Sequence, residues 1–383
     1  MVEVLVEHVN CQGLDIPGQT GEHQIASDTP PISWAFIEPT DPRWSAFLER
    51  VPHDFYHLPS YLILCGKCEA GRPLAFYASD GDAECLIPLL LKPLPSRFDA
   101  PPTWNDLSSP YGYACPLYTN TKDAEKISGF HRALHAAIRE LGILSVFLRL
   151  HPLLDVGCGD DEGISACVSH GQTVSIDLTR SEEQMWRGIR DGHQSDIRRL
   201  HKLDFVGVID DWSLFGEFIR IYRSTMTRLG ADDFYYFSDE YFADLRHALG
   251  GALHLCCAMA PNGQLAAAGL ITVVGKIMQY HLSGTNPEYH RLAPTKLMLD
   301  FARKWGKDQG CSVFHLGGGA GAQDSSLFRF KAGFSPDRKY FRTLRLIGDE
   351  SRYQNLSLAA GRECDLRADL HAAFFPPYRK LTD

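Results

Sequence analysis

The stretch His315 to Phe334, HLGGGAGAQDSSLFRFKAGF, carries the strongest local signal in this chain. An apolar run ending in His315-Leu316 enters four glycines and then an aromatic, basic turn that holds Lys331. Glycines let backbone N–H groups come close to a bound anion, so a strand end, a glycine turn and a cation in sequence suggest a pocket for negative charge. The pattern is not a Walker P-loop, because no Gly-Lys-Ser/Thr closes it, and GxGxxG is absent. The plainer alternative is a strand-end turn in which Lys331 caps a helix.

Working backwards from this stretch, apolar spacing predicts a strand over 312–316 and, before it, a helix over 296–305 closed by Gly310. Further back lie three strands, 253–259, 265–274 and 277–283, joined by a turn at Asn262-Gly263 and a tight link at Gly275-Lys276, an antiparallel meander. Helices are expected over 239–249, 215–229 and 181–202. Ser181 and Gln184 form a capping box for the last of these, with Glu182 and Glu183 at its positive end. Beyond the glycine stretch a closing strand runs 340–347.

The first half reads as a shorter version of the same order: a strand over 32–37, short helices over 44–51 and 60–67, strands over 74–78 and 85–91, a helix over 124–141 ended by Gly142, and a strand over 145–150. Ala70-Gly-Arg-Pro-Leu before one strand pair echoes Pro261-Asn-Gly-Gln-Leu before the other, as duplication of one domain would produce. The fold class expected is therefore α+β, with mixed, mostly antiparallel sheets flanked by helices. Boundaries are set at a lead-in over 1–30, a first domain over 31–170, a second over 171–348 and a helical tail over 349–383.

A length of 383 residues exceeds what one core usually serves, and 44% hydrophobic with 22% charged residues is ordinary globular composition. A net charge of −9 argues against a broad coat for nucleic acid, leaving a local basic patch as the form such contact could take. The longest apolar run, Ala266 to Val274, is too short for a bilayer, and no leader pattern is present, so a cytoplasmic protein is expected. Eleven scattered cysteines suggest reduced thiols. Cys65-Gly-Lys-Cys68 is half a zinc site without its complement, and the acidic stretch 155–162 lacks the alternating ligands of a calcium loop, so no metal is assigned.

Phe328 to Phe334, FRFKAGF, is similar to the Phe-Lys-x-x-Phe signature of the Fem-like aminoacyltransferases of the GNAT superfamily, and the preceding LGGG resembles their usual strand end. HDFYHLPSY (53–61), IPLL (87–90), DLSSPYGY (106–113) and YHLSGT (280–285) look like further family segments in the same order, spread over about residues 50–345. The resemblance implies two tandem GNAT-like domains and transfer of an aminoacyl group from aminoacyl-tRNA to the amine of a small-molecule or cell-wall-type acceptor. It implies Lys331 as the catalytic residue, stabilising negative charge on phosphate or on the tetrahedral intermediate. Asp106, Tyr111, Tyr113, Arg198, Tyr280, His281, Ser283, Gly318, Gly319 and Phe330 are the substrate-binding candidates. Asp106, Tyr111 and Tyr113 are expected on a bent connection. On an ideal strand Tyr280 and Leu282 would face one way, His281 and Ser283 the other. The basic helix 181–202 resembles one preceding the family's second domain, but carries Gln194 where an arginine is expected. A solvated face is its plainer reading.

No tightly bound cofactor is expected. Acetyl-CoA enzymes of this superfamily bind pyrophosphate on an Arg/Gln-x-x-Gly-x-Gly/Ala turn. Here YHRLAPTK (289–296) has neither glycine, and Pro294 lacks the donor, which favours aminoacyl-tRNA over acyl-CoA as donor. An acyl-CoA-dependent N-acyltransferase of polysaccharide or specialised metabolism is the alternative, and a non-catalytic binding module of the same fold is a third reading. No GxSxG, HExxH or nucleophilic triad is present, which fits direct transfer without a covalent enzyme intermediate.

Overall fold

The computed structural model describes residues 20–23, 31–154, 165–319 and 325–380. Most of the lead-in, the acidic stretch 155–162 and positions 320–324 of the glycine loop lie outside the described residues. The chain forms two compact units: Met1–His170 together with Phe341–Asp383, and Gly171–Tyr340.

In the first unit the order is β1 (Thr20–His23), β2 (Ile32–Ile37), α1 (Pro42–Leu48), α2 (Pro59–Cys68), β3 (Arg72–Ser79), β4 (Glu84–Pro93), β5 (Asn105–Ser108), β6 (Leu117–Tyr118), α3 (Ala124–Glu140) and β7 (Ile143–Leu150). β1 to β5 pair antiparallel in sequence, β6 adds to β4, and β5 pairs with β7 in parallel. Asp123 caps α3 by accepting from Glu125 N at 2.8 Å, and Gly142, with φ 66°, ends it in the left-handed cap its sequence predicts. Phe130, Ala133, Leu134, Ala137 and Ile138 place one face of α3 in a core shared with Phe36, Phe76, Ile87 and Val146.

β8 (Ser165–Asp177) carries the chain into the second unit, followed by α4 (Glu182–Gly188), α5 (Asp191–Lys202), β9 (Val206–Ile209), α6 (Phe215–Leu229), α7 (Asp239–Leu249), β10 (Leu253–Met259), β11 (Leu265–Val274), β12 (Ile277–Thr285), α8 (Thr295–Asp308), β13 (Val313–Gly317) and α9 (Ser326–Ala332). Neighbours in this unit run β8-β13-β12-β11-β10-β9, antiparallel except for the parallel pair β12 and β13. α8 buries Leu297, Met298, Leu299 and Ala302 on this sheet. Its Arg303, 1% exposed, is held by Asp300 at 2.8 Å and by Glu182 of α4 at 2.8 Å.

The expected single helix over 181–202 is two. The capping box is present, Ser181 N donating to Gln184 Oε1 at 2.9 Å and Gln184 N to Ser181 Oγ at 3.2 Å, but Ile189 and Arg190 adopt extended backbone. Gln194 stabilises the break: its Nε2 donates to Ile189 O at 2.8 Å and to Trp186 O at 3.0 Å, where it adds to the bond from Ile189 N. An arginine at 194 would lack that compact amide.

β14 (Arg338–Ile347), α10 (Glu350–Ala359) and α11 (Leu366–Leu370) return the chain to the first unit. The second unit thus closes at Tyr340 rather than at 348, because β14 pairs with β7 from Arg342 to Ile347 and buries Leu344 and Leu346 in the first core. Residues 349–380 are likewise part of that unit, since Tyr353, Leu370, Phe375 and Tyr378 pack with Leu144 and Phe147. Among the described residues no helix is long and apolar enough to cross a membrane. Eight described cysteines are outside any disulfide, whereas Cys167 is disulfide-bonded, a departure from the expected set of reduced thiols.

Candidate functional site

The site in the second unit begins where two parallel strands part. β12 and β13 pair only from Ile277–Gln279 against Val313–His315. At the last rung His315 Nδ1–H donates to Gln279 Oε1 at 2.7 Å, and both side chains are buried. Beyond it β13 ends at Gly317, whose φ of 78° turns the backbone away at little steric cost.

β12 breaks its own alternation at the same level. Leu270 opposes Leu282 and Ile271 opposes Tyr280, so His281 has no counterpart on β11 and forms a bulge. The extra residue brings Tyr280 and Ser283 to one side, where their hydroxyls are hydrogen-bonded. The strict grouping of Tyr280 with Leu282 and His281 with Ser283 therefore fails.

Lys331 sits beside this opening. Ser325 caps α9, accepting from Phe328 N at 3.2 Å, and His193 of α5 fixes its far end by donating from Nε2 to Phe330 O at 2.9 Å. The His193 ring also packs against Phe330 and Phe334, with centroids 5.6 and 4.8 Å away, and Arg190 N donates to Gly333 O at 2.9 Å. So held, Lys331 is 9% exposed. Its Nζ donates to Gly318 O at 2.9 Å and lies 5.7 Å from the centre of the Tyr280 ring, within range of a cation–π contact. Burial lowers the Lys331 pKa to about 8. Burial likewise pushes His193 down to about 4, so its imidazole is neutral at physiological pH and acts as a fixed donor.

Among the sequence candidates, Lys331, Gly318, Tyr280 and Ser283 are thus gathered, with Phe330 contributing its carbonyl and Gly319 following Gly318 at the start of the loop. His281 is the half-buried bulge residue. Arg198 lies on the exposed side of α5, its Nη2 donating to Gln194 Oε1 at 3.0 Å and its guanidinium 5.2 Å from the Trp186 ring. Asp106, Tyr111 and Tyr113 belong to the first unit. Asp106 is in β5, not on a bent loop, and its carboxylate is fully engaged: Oδ1 accepts from Ser145 Oγ at 2.7 Å and Tyr378 Oη at 2.6 Å, Oδ2 from Arg379 Nε at 2.6 Å. Tyr111 is held through its backbone, N donating to Glu69 at 2.7 Å, while the Tyr113 ring meets Tyr56, His151 and Phe341 edge-on.

Sequence reasoning missed His193 and Gln279. Neither belongs to a local motif; each acts through a partner far along the chain. One prediction follows from the His193 contact. A Cβ added to Gly333 would lie 2.4 Å from His193 Nε2 and within 2.8 Å of two further ring atoms. Gly333→Ala is expected to cost about 1–3 kcal/mol and to displace the Lys331 helix, lowering activity beyond the loss of folded protein. Chemical denaturation with activity normalised to folded fraction separates the two effects.

Residues 187–331 match the family described as Acetyltransferase (GNAT) domain. No curated protein matches the sequence. Among solved structures the chain is similar to FemX, with a TM-score of 0.62 and 13% identity over 84% of this chain and 99% of that one. It also resembles L-PGS from Bacillus licheniformis, with a TM-score of 0.50 and 16% identity over 82% and 94% of the respective chains. A C-terminal domain (DUF2156) from Agrobacterium fabrum gives a TM-score of 0.51 and 11% identity over 83% and 95%. At such identities the likeness establishes the fold.

Proposed function

We propose, for an acyltransferase of FemX-like tandem GNAT fold, that this chain transfers an aminoacyl group from aminoacyl-tRNA to the amine of a small-molecule or cell-wall-type acceptor, with Lys331 as the group that stabilises developing charge. The observation that carries this reading is a buried ammonium with no carboxylate in ion-pair contact among the described residues, set beside the opening between two parallel strands. An ammonium has three N–H donors; one is spent on Gly318 O and no other partner is found among the described residues, so up to two can serve an oxyanion. In a site of low dielectric such a fixed donor acts far more strongly than in water.

The amine attacks the ester carbonyl to form a C–N bond, the carbonyl oxygen becomes an oxyanion facing Lys331, and collapse breaks the C–O bond. The nitrogen's proton leaves to solvent or to the departing ribose oxygen. An α-amine with a pKa of about 8 is roughly a tenth neutral at pH 7, so no strong base is demanded.

The aminoacyl-tRNA donor is implied by the Fem-like motif and favoured over acyl-CoA by the start of α8. There Ala293 has φ 55° and Pro294 is the cap residue, while Lys296 N donates to Ala293 O at 3.0 Å and Met298 N to Pro294 O at 3.1 Å. Of the backbone donors at this helix start, that of Pro294 is absent and those of Lys296 and Met298 are spent. Product formation from a charged-tRNA pool that ribonuclease abolishes, with no thiol released from acyl-CoA, is the expected result. Thiol release insensitive to ribonuclease would replace this donor with acyl-CoA, and no transfer from either donor would favour the binding module.

The pH dependence tests the role of Lys331. Its acid form is the active one, and burial sets its pKa at about 8. Turnover under saturating substrates is expected to fall above about pH 8 even as the acceptor amine becomes more nucleophilic. A rate that rises through pH 9 would instead show that the charged form of Lys331 is not required.

A further inference from the structure

Away from Lys331, the first unit holds a second concentration of positive charge. On the antiparallel pair β7 and β14, Arg149 lies opposite Thr343 and Phe147 opposite Arg345, so all four side chains share one face. Arg345 is 1% exposed, its Nη1 donating to Leu370 O at 2.9 Å and Ala372 O at 2.6 Å, its Nε to Thr343 Oγ1 at 3.3 Å. Arg149 lies 4.9 Å from the centre of the same Phe147 ring that Arg345 approaches at 5.8 Å, and its Nη1 donates to Ser109 O at 3.1 Å. His170 completes the group, with Nε2 2.8 Å from Thr343 Oγ1 and its ring 5.4 Å from Phe341, which in turn meets Tyr113 at 5.5 Å.

No carboxylate among the described residues is in ion-pair contact with either guanidinium. The buried acids of this unit are committed elsewhere, Asp54 to His151 at 2.9 Å, Glu69 to Lys92 at 2.9 Å and Asp106 to Arg379 at 2.6 Å. Carbonyls and ring faces offset part of the cost of burying Arg345 and half-burying Arg149, but only an opposite charge offsets the rest. The field is felt at His170, whose pKa is lowered to about 4 by burial first and by Arg345 and Arg149 after it. Arg345 and Thr343 are closed off, while Arg149, His170, Phe341 and Tyr113 are half-buried and so remain partly open to solvent. Guanidinium forks match phosphate oxygens in geometry, and an aromatic wall suits the ring or sugar to which a phosphate is attached.

We infer that Arg149 and His170, backed by Thr343 and Arg345, form a binding site for a phosphate group carried by a small ligand, with Phe341 and Tyr113 as its apolar wall. Binding at this site can be measured without any turnover, so its test is separate from that of the transfer reaction. The test is a titration of the full chain with inorganic pyrophosphate at constant ionic strength, following the His170 ring signal by NMR and the melting temperature. The signal is assigned by its loss in His170→Gln. Saturable binding is expected to raise the melting temperature and the His170 pKa together, because a neighbouring anion favours the imidazolium form. Arg149→Gln is expected to weaken binding by about tenfold or more. Should that variant fold poorly, Arg149→Lys, which keeps the charge and loses the fork, makes the same comparison. A His170 signal indifferent to pyrophosphate, or equally responsive in the Arg149 variants, overturns the inference.

Discussion

Lys331→Met is expected to lower turnover by about 10²–10³-fold, the cost of removing one preorganised donor from an oxyanion site, while leaving the fold intact. Methionine keeps the length and apolar character of the stem, so the packing of Phe330 of α9 against His193 and Phe334 survives. The unfolding curve supplies an internal control. The Lys331 pKa is lowered in the folded chain to about 8 from an ordinary 10.5, so between these values the unfolded chain holds a proton that the folded one has released. Wild-type stability should therefore rise as pH increases through that window, and the methionine variant should lack this rise. Stability that loses its pH dependence while activity is unchanged would leave Lys331 as a buried cation outside the reaction.

Asp106→Ala is expected to act on the other unit and in the opposite manner, with a loss of about 3–5 kcal/mol in stability. The change strands the Arg379 guanidinium and the hydroxyls of Tyr378 and Ser145, all of which donate to this one buried carboxylate. Asp106→Asn, which keeps an acceptor without the charge, should recover part of the loss. Urea unfolding followed by Tyr and Trp fluorescence measures it. A variant of wild-type stability with a raised KM for the acceptor would return Asp106 to the substrate-binding role its motif suggests.

These two residues also mark what sequence could and could not convey. Lys331 stands in a continuous motif, and the elements around it follow from periodicity: the meander of β10 to β12, the amphipathic α6 and α8, and the capping box at Ser181 were all legible. Asp106 lies in a segment rich in Pro, Gly and Ser, which reads as a connection. Its strand identity comes from pairing with β4 and β7, a tertiary effect no local pattern encodes. The break between α4 and α5 escaped for the same reason, since apolar spacing continues across it and only Gln194 and the Arg190 contact with Gly333 reveal it. The bulge at His281 is a single extra residue, invisible until a partner strand is present to count against. His193 reads as one more polar residue on a basic helix, and its function depends on a carbonyl 137 positions away.

The interleaved order of the two units bears on how the protein is made. During synthesis the segment 171–340 is complete and able to collapse while the earlier unit still exposes the free edge of β7, waiting for a strand not yet translated. Nascent polypeptides stalled before 341 should thus be bound by chaperones through their amino-terminal half, although that half emerged first. A premature stop codon there would harm the oldest part of the molecule most.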